Sequence, residues 1–99
     1  MKSKEEIEID FSRAIAQAQE LEDIAKELSQ IASAHIAGAL EMLALNWQGE
    51  NAKQYADKGK ILTKDMFETA DDLIKVAKNI RLTAGIVYDA EKTAVGIGY

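Results

Sequence analysis

The chain has 99 residues, a formal net charge of −5, one histidine, and no cysteine or proline. Without cysteine it cannot form a disulfide scaffold, a Cys-ligated metal centre or a thiol active site. One histidine leaves no histidine pair for a metal, and the acidic charge argues against nucleic-acid binding. The length corresponds to one domain, residues 1–99, and the lack of proline among many good helix formers predicts long helices with few connections.

The first predicted element is a helix over about residues 8–45. Apolar residues recur there at alternating spacings of three and four, which is the pattern of a coiled-coil seam. The seam contains Phe11, Ala14, Ala18, Leu21, Ala25, Leu28, Ala32, His35, Ala39 and Met42. We interpret His35, its one polar member, as a seam or interface residue rather than as a catalytic base.

The apolar pattern loses its phase between Met42 and Ala52. Trp47 and Gly49 lie in this gap together with an asparagine, and asparagine and glycine are typical of turns. We therefore predict a turn over residues 46–49.

A second helix is predicted over about residues 50–94, followed by a flexible tail over 95–99. The same apolar spacing returns at Ala52, Tyr55, Gly59, Leu62, Met66, Thr69, Leu73, Val76, Ile80, Thr83, Val87, Ala90 and Ala94. Two long helices joined by a short turn fold back on each other. The predicted fold is all-α, an antiparallel two-helix hairpin.

The stretch 31–45 is apolar on nearly all sides, and a single antiparallel partner covers only one of them. This predicts that two hairpins dimerise into a four-helix bundle. A monomer with an exposed apolar patch is the alternative. The predicted dimer interface consists of Ile31, His35, Ile36, Gly38, Leu40 and Leu43.

No catalytic or cofactor-binding pattern is found in the sequence. It has no E-x-x-H spacing for a di-iron site and no glycine-rich phosphate loop, so we expect no enzyme activity, no cofactor, no metal and no small-molecule substrate. The charged residues 1–8 predict no cleaved secretory leader. The most apolar stretch, 31–45, is shorter than the ~20 residues of a membrane span.

With two long predicted helices and a central Trp47-Gln48-Gly49 turn, the chain resembles the WXG100 family, the small early-secreted-antigen-like (ESX) proteins of type VII secretion. The likeness covers the whole chain and extends to an aromatic residue after the turn, Tyr55. It implies a protein made in the bacterial cytoplasm and secreted without a cleaved signal peptide.

The resemblance also implies an export motif near the end of the second helix. One form of this motif is a tyrosine with an acid four residues later, but Tyr88 is followed there by Lys92. The form found in Firmicutes is an apolar residue, an acid at +4 and an apolar residue three further on, which fits Val87, Glu91 and Ala94. Whether Val87 or Tyr88 leads the motif is open at this point.

The function implied by the resemblance is that of a secretion substrate or co-secreted partner, exported as a folded dimer. The W-x-G turn of one subunit and the export motif of the other would form a composite signal for an FtsK-like secretion ATPase. The partner would be a second copy, another WXG100 protein or the helical N-terminal domain of a toxin. Two alternatives are a targeting adaptor for such a toxin and a structural coiled coil without an export role.

Overall fold

Helix α1 spans Lys4–Gln30 and begins at a serine cap. The backbone N–H of Glu6 donates to Ser3 Oγ at 3.2 Å, and the N–H of Ile7 donates to the Ser3 carbonyl at 3.1 Å. Serine followed three residues later by glutamate is the signature of a capping box. The helix therefore starts four residues before the predicted boundary, which rested on apolar spacing alone.

The computed structural model describes residues 2–47 and 49–97. Within those ranges every regular element is helical, and no strand occurs. This confirms the predicted all-α class. Residue 48, in the predicted turn, and residues 98–99, in the predicted tail, lie outside the described part of the chain.

A π-helix over Ile31–Ile36 separates α1 from α2, which spans Ala37–Asn46. The N–H of Ala37 donates to the carbonyl of Ala32, five residues back. A π-helical turn inserts one residue relative to an α-helical turn and so shifts the helix face by one position.

This shift contradicts the predicted seam beyond residue 32. His35, Ala39 and Met42 were expected in the seam but are exposed. The half-buried positions are instead those one residue later in the chain, Ile36, Leu40 and Leu43.

The turn follows Asn46, whose side-chain amide donates to the carbonyl of Met42 at 2.9 Å. Trp47 has an extended backbone, with φ −136° and ψ 121°. Gly49 has φ +123°, a backbone conformation that favours glycine. Its carbonyl then accepts the N–H of Lys53 at 3.2 Å, within the first turn of the next helix.

Helix α3 spans Glu50–Ile97 and has 48 residues. It continues three residues past the predicted end at 94, so the predicted tail is wrong for residues 95–97. Val95 is buried and lines two small pockets together with Ile7. This packing stabilises the last turn of the helix. The sequence does not predict that turn, because Gly96 is a poor helix former.

The chain divides into two compact units. Each unit contains helical residues from before the central turn and helical residues from after it. The terminal unit comprises Met1–Glu22 with Ile74–Tyr99, and the turn unit comprises Asp23–Leu73. The expectation of a single domain remains a prediction.

Contacts within each unit show antiparallel pairing. In the terminal unit, Glu8 contacts Tyr88 and Glu22 contacts Arg81, so the numbers run in opposite directions. In the turn unit the ring of Trp47 lies beside that of Tyr55, and Leu40 lies against Gly59, so these numbers also run in opposite directions. The hairpin pairing predicted from the sequence is therefore confirmed in each unit, and dimerisation remains a prediction.

Small residues dominate the interior of both units. The buried apolar residues are Ile7, Ala18 and Ala77 with Val95 in the terminal unit, and Ala25, Ala32, Ala52 and Ala70 in the turn unit. Alanine and glycine let helix backbones approach closely, and Gly59 shows this because a Cβ there would overlap the side chain of Leu40.

Gly59 and Gly85, both inside α3, form a matched pair for testing this close approach. A Cβ at Gly85 would meet no atom within 4 Å, so we expect Gly85→Ala to raise the free energy of unfolding by about 0.5–1 kcal/mol. Gly59→Ala should lower it by about 1 kcal/mol, because Leu40 must move. Urea unfolding followed by circular dichroism measures both. Equal stabilisation by the two substitutions would contradict the contact between Leu40 and position 59.

Candidate functional site

The central turn presents an aromatic pair. Trp47 follows α2, and its ring centroid lies 5.8 Å from that of Tyr55 with 31° between the ring planes. Both rings are exposed, Trp47 by 44%. The turn thus presents an exposed aromatic surface, and Gly49 has a positive φ beside it.

Three of the four predicted export residues share one face of α3. Val87 and Glu91 line the same groove of the terminal unit, and Glu91 and Ala94 line a neighbouring pocket. The intervals of four and three residues place these side chains on successive turns of one helix face. The pattern that the sequence predicted is therefore a contiguous stripe.

The side chain of Tyr88 instead contacts α1. Its ring lies 4.5 Å from that of Phe11, centroid to centroid, and its hydroxyl donates to Glu8 Oε1 at 2.7 Å. Lys92 Nζ donates to the same hydroxyl at 3.2 Å, and this hydrogen bond is the main cause that raises the pKa of Lys92. The Tyr88 side chain thus contributes to the contact between the two helices.

Glu91 forms an ion pair with Lys2, which precedes α1. Lys2 Nζ lies 3.0 Å from Glu91 Oε1 and 2.8 Å from Asp10 Oδ2. Hydrogen bonds to Asp10 first and Glu91 second raise the pKa of Lys2, and the hydrogen bond from Lys2 lowers the pKa of Asp10. This role of Lys2 is not apparent from the sequence, because a pattern within one helix does not show which residue of the other helix lies beside it.

The groove of the terminal unit has a volume of about 430 Å³. Its walls are mainly apolar, and its rim carries polar and charged groups. The lining residues are Lys2, Ile7, Asp10, Phe11, Ala14, Val76, Asn79, Ile80, Thr83, Ala84, Val87, Tyr88 and Glu91. An apolar channel between two helices is the kind of surface that accepts an amphipathic helix.

Arg81 does not line the groove, but its side chain also links α3 to α1 by polar contacts. Its guanidinium donates to Glu22 Oε1 at 2.6 Å and to Gln19 at 3.3 Å. The hydrogen bond to Glu22 raises the pKa of Arg81. The terminal unit is therefore held together by polar pairs in addition to its small apolar core.

The six residues predicted to form the dimer interface differ in exposure. Ile31 and His35 are exposed, and Gly38 is half-buried. The remaining three are also half-buried within the chain, and Leu40 lies against Gly59 of α3. The π-helix explains this division, since it turns positions 36, 40 and 43 inward. The interface itself remains a prediction.

The first helical stretch is markedly apolar for an exposed segment. Within Lys4–Asn46, an 18-residue window has a mean hydropathy of 1.3, and 6% of the window is buried. By length and composition this helical stretch could cross a membrane, although its most apolar part, residues 31–45, is shorter than a span. Signal sequences and apolar helices of soluble proteins meet the same criterion, and it assigns no membrane span by itself.

Comparison of the chain with known protein families, with curated proteins and with solved structures found no match. Among the described residues, no group of three or more histidine and acidic side chains is arranged to hold a metal ion. The features of the chain that bear on its function are therefore the turn, the stripe on α3 and the groove.

Proposed function

We propose that the chain is a substrate or co-secreted protein of a type VII secretion system, similar to the WXG100 proteins. The observation that carries the proposal is the central turn between antiparallel helices. Trp47 leaves an aromatic surface exposed there, and Gly49 adopts a positive φ. In this proposal the exposed tryptophan of the W-x-G pattern contacts a partner, and the glycine allows the backbone conformation of the turn.

The export element in this proposal is Val87, Glu91 and Ala94. Val87 leads it, because Tyr88 uses its ring and hydroxyl for contacts with Phe11 and Glu8. Val87 is exposed and lies on the same stripe as Glu91. A short helical stripe beside a groove is a compact recognition surface.

In this proposal the exported form is a dimer of hairpins that makes a four-helix bundle. The apolar groove of each terminal unit receives helical surface of a second copy, and α2 supplies such a surface because none of its residues is buried. In an antiparallel arrangement, Trp47 of one subunit lies beside Val87 and Glu91 of the other. An FtsK-like secretion ATPase in the bacterial membrane would read this composite surface, and the dimer would leave the cytoplasm without a cleaved signal peptide.

A second candidate function is that of a targeting adaptor. The same groove would then hold the N-terminal helices of a larger secreted toxin rather than a second copy. Its apolar walls accept either kind of amphipathic helix. Native mass measurement of the complex from cells separates the two: a homodimer has about 22 kDa, twice the 10.9 kDa of one chain, and a toxin complex is heavier.

The export element can be tested with two neighbouring acidic residues of α3. We expect Glu91→Ala to reduce the secreted fraction about tenfold or more, because the substitution removes the charged member of the stripe. The fold should persist, since the Lys2–Glu91 pair is a surface ion pair of small energetic value. Immunoblots of culture supernatant and cell pellet measure the secreted fraction.

The matched control is Asp89→Ala, which removes an exposed acid that does not line the groove. This variant should be secreted like the wild type. Normal secretion of the Glu91 variant, or an equal loss in both variants, would contradict the assigned export element.

A further inference from the structure

One lysine joins the two walls of the groove in the terminal unit. Lys2 precedes α1, and its Nζ lies 2.8 Å from Asp10 Oδ2 and 3.0 Å from Glu91 Oε1. Asp10 belongs to α1 and Glu91 to α3, and all three residues line the groove. A single ammonium group therefore bridges one carboxylate from each helix.

The two carboxylates depend on this ammonium group for their countercharge. Both lie within 3.0 Å of the same nitrogen, so they are close to each other and would repel without it. The hydrogen bond from Lys2 is the main cause that lowers the pKa of Asp10, whereas Arg13 has the smallest effect. Among the described residues that line the groove, Lys2 is the only lysine or arginine.

The side chains of this cluster are partly open to water in the single chain. Their exposed fractions are 45% for Lys2, 46% for Asp10 and 27% for Glu91. Ion pairs with that exposure add little to the stability of the isolated hairpin. Their charges become important when a helix covers the groove, because a carboxylate that loses water without gaining a partner is costly.

The occupant of the groove in the proposed dimer brings no positive charge. Helix α2 has the sequence AGALEMLALN, which contains no lysine or arginine and has Glu41 as its one charged residue. It can cover the apolar walls, but it cannot neutralise Asp10 and Glu91. That countercharge must come from the chain that forms the groove.

We propose that Lys2 is a specificity-determining residue of the groove. It neutralises Asp10 and Glu91, so the groove accepts an apolar helix that carries no lysine or arginine, such as α2 of a second copy. The inference rests on the dimer of the proposed function and names the residue that selects its partner. Without Lys2, the same groove would favour a helix with a lysine or arginine of its own, since specificity is a difference between two affinities.

Removing the charge of Lys2 should weaken the dimer. Methionine has a similar unbranched side chain, and we expect Lys2→Met to raise the dissociation constant about tenfold, because covering the groove then leaves two carboxylates without a cation. Lys2→Arg keeps the charge and should dimerise nearly like the wild type. Sedimentation equilibrium of the full chain measures the dissociation constants, and circular dichroism checks that each variant remains helical.

Two further proteins separate this role from a general effect of charge or fold. The triple variant Lys2→Met, Asp10→Asn, Glu91→Gln has no charge left in the cluster and should recover most of the wild-type affinity. Lys4→Met changes the net charge of the chain as Lys2→Met does, but Lys4 does not line the groove, and this variant should dimerise normally. Added salt should tighten the Lys2→Met dimer more than the wild-type dimer, since it screens the repulsion between the two carboxylates.

A wild-type dimer whose dissociation constant is unchanged by Lys2→Met would overturn the inference and leave the proposed dimer standing. Equal weakening by Lys2→Met and Lys4→Met would overturn it as well, as would a triple variant that dimerises no better than Lys2→Met. A wild-type chain that remains monomeric would overturn the proposed dimer and the inference together.

Discussion

Replacing Trp47 with alanine is expected to reduce secretion of the chain at least about tenfold, which is the effect of losing a central aromatic anchor from a recognition surface. The helices should persist, because Trp47 lies beyond the end of α2 and its ring is exposed. Its ring lies beside that of Tyr55, which stays in α3. The measurements are the secreted fraction by immunoblot and the helix content of the purified variant by circular dichroism.

Two further variants show whether the effect belongs to this ring. Trp47→Phe keeps an aromatic group at the turn and should retain part of the secretion. Phe67→Ala removes a different exposed aromatic side chain of the turn unit and should be secreted normally. If the Trp47→Ala protein reaches the medium at the wild-type level, the turn is not part of the export signal.

A charge placed in the groove is expected to separate the proposed dimer. Val76 lines the groove and is about half exposed, so Val76→Asp should leave the hairpin folded. An aspartate buried at an interface without a partner is costly, and we expect the dissociation constant to rise at least about a hundredfold. Sedimentation equilibrium over a range of concentrations measures this change.

Ile86→Asp is the matched control for that experiment. Ile86 is on the same helix and in the same unit, is more exposed than Val76, and does not line the groove. We expect this variant to dimerise like the wild type. A wild-type chain that remains monomeric at micromolar concentration would contradict the homodimer and favour the adaptor function, in which the groove holds another protein.

The sequence predicted the helices best where regular spacing coincides with packing. The positions Ala18, Ala25 and Ala32 were predicted in the seam and are buried. The seam predicted for the second helix is wrong at alternate positions, because Leu62, Thr69 and Val76 are exposed, and Ala70 and Ala77, one residue after the last two, are buried. In the first helix the prediction fails beyond Ala32, because a strict alternation of three and four assumes α-helical geometry throughout. The chain inserts a π-helical turn at Ile31–Ile36, and only the irregular spacing of the later apolar residues hints at it.

The candidate site was predictable in part for a similar reason. Spacing within one helix was sufficient to select Val87, Glu91 and Ala94 as a stripe. It could not reveal that Lys2 pairs with Glu91 or that Tyr88 contacts Phe11, because these contacts join residues from opposite ends of the chain. Contacts between helices depend on register, which a pattern along one helix does not determine.

The alanine-rich interior has a consequence for how the chain behaves when it meets a partner. Six of the eight buried residues in the described part of the chain are alanines, and each alanine removes little apolar area from water. We therefore expect the isolated hairpin to have a small free energy of unfolding. Most of its large apolar side chains are exposed. Any ligand that binds only the folded form raises stability in proportion to the logarithm of its concentration, so folding and association of this chain should be coupled, and its melting temperature should increase with its own concentration.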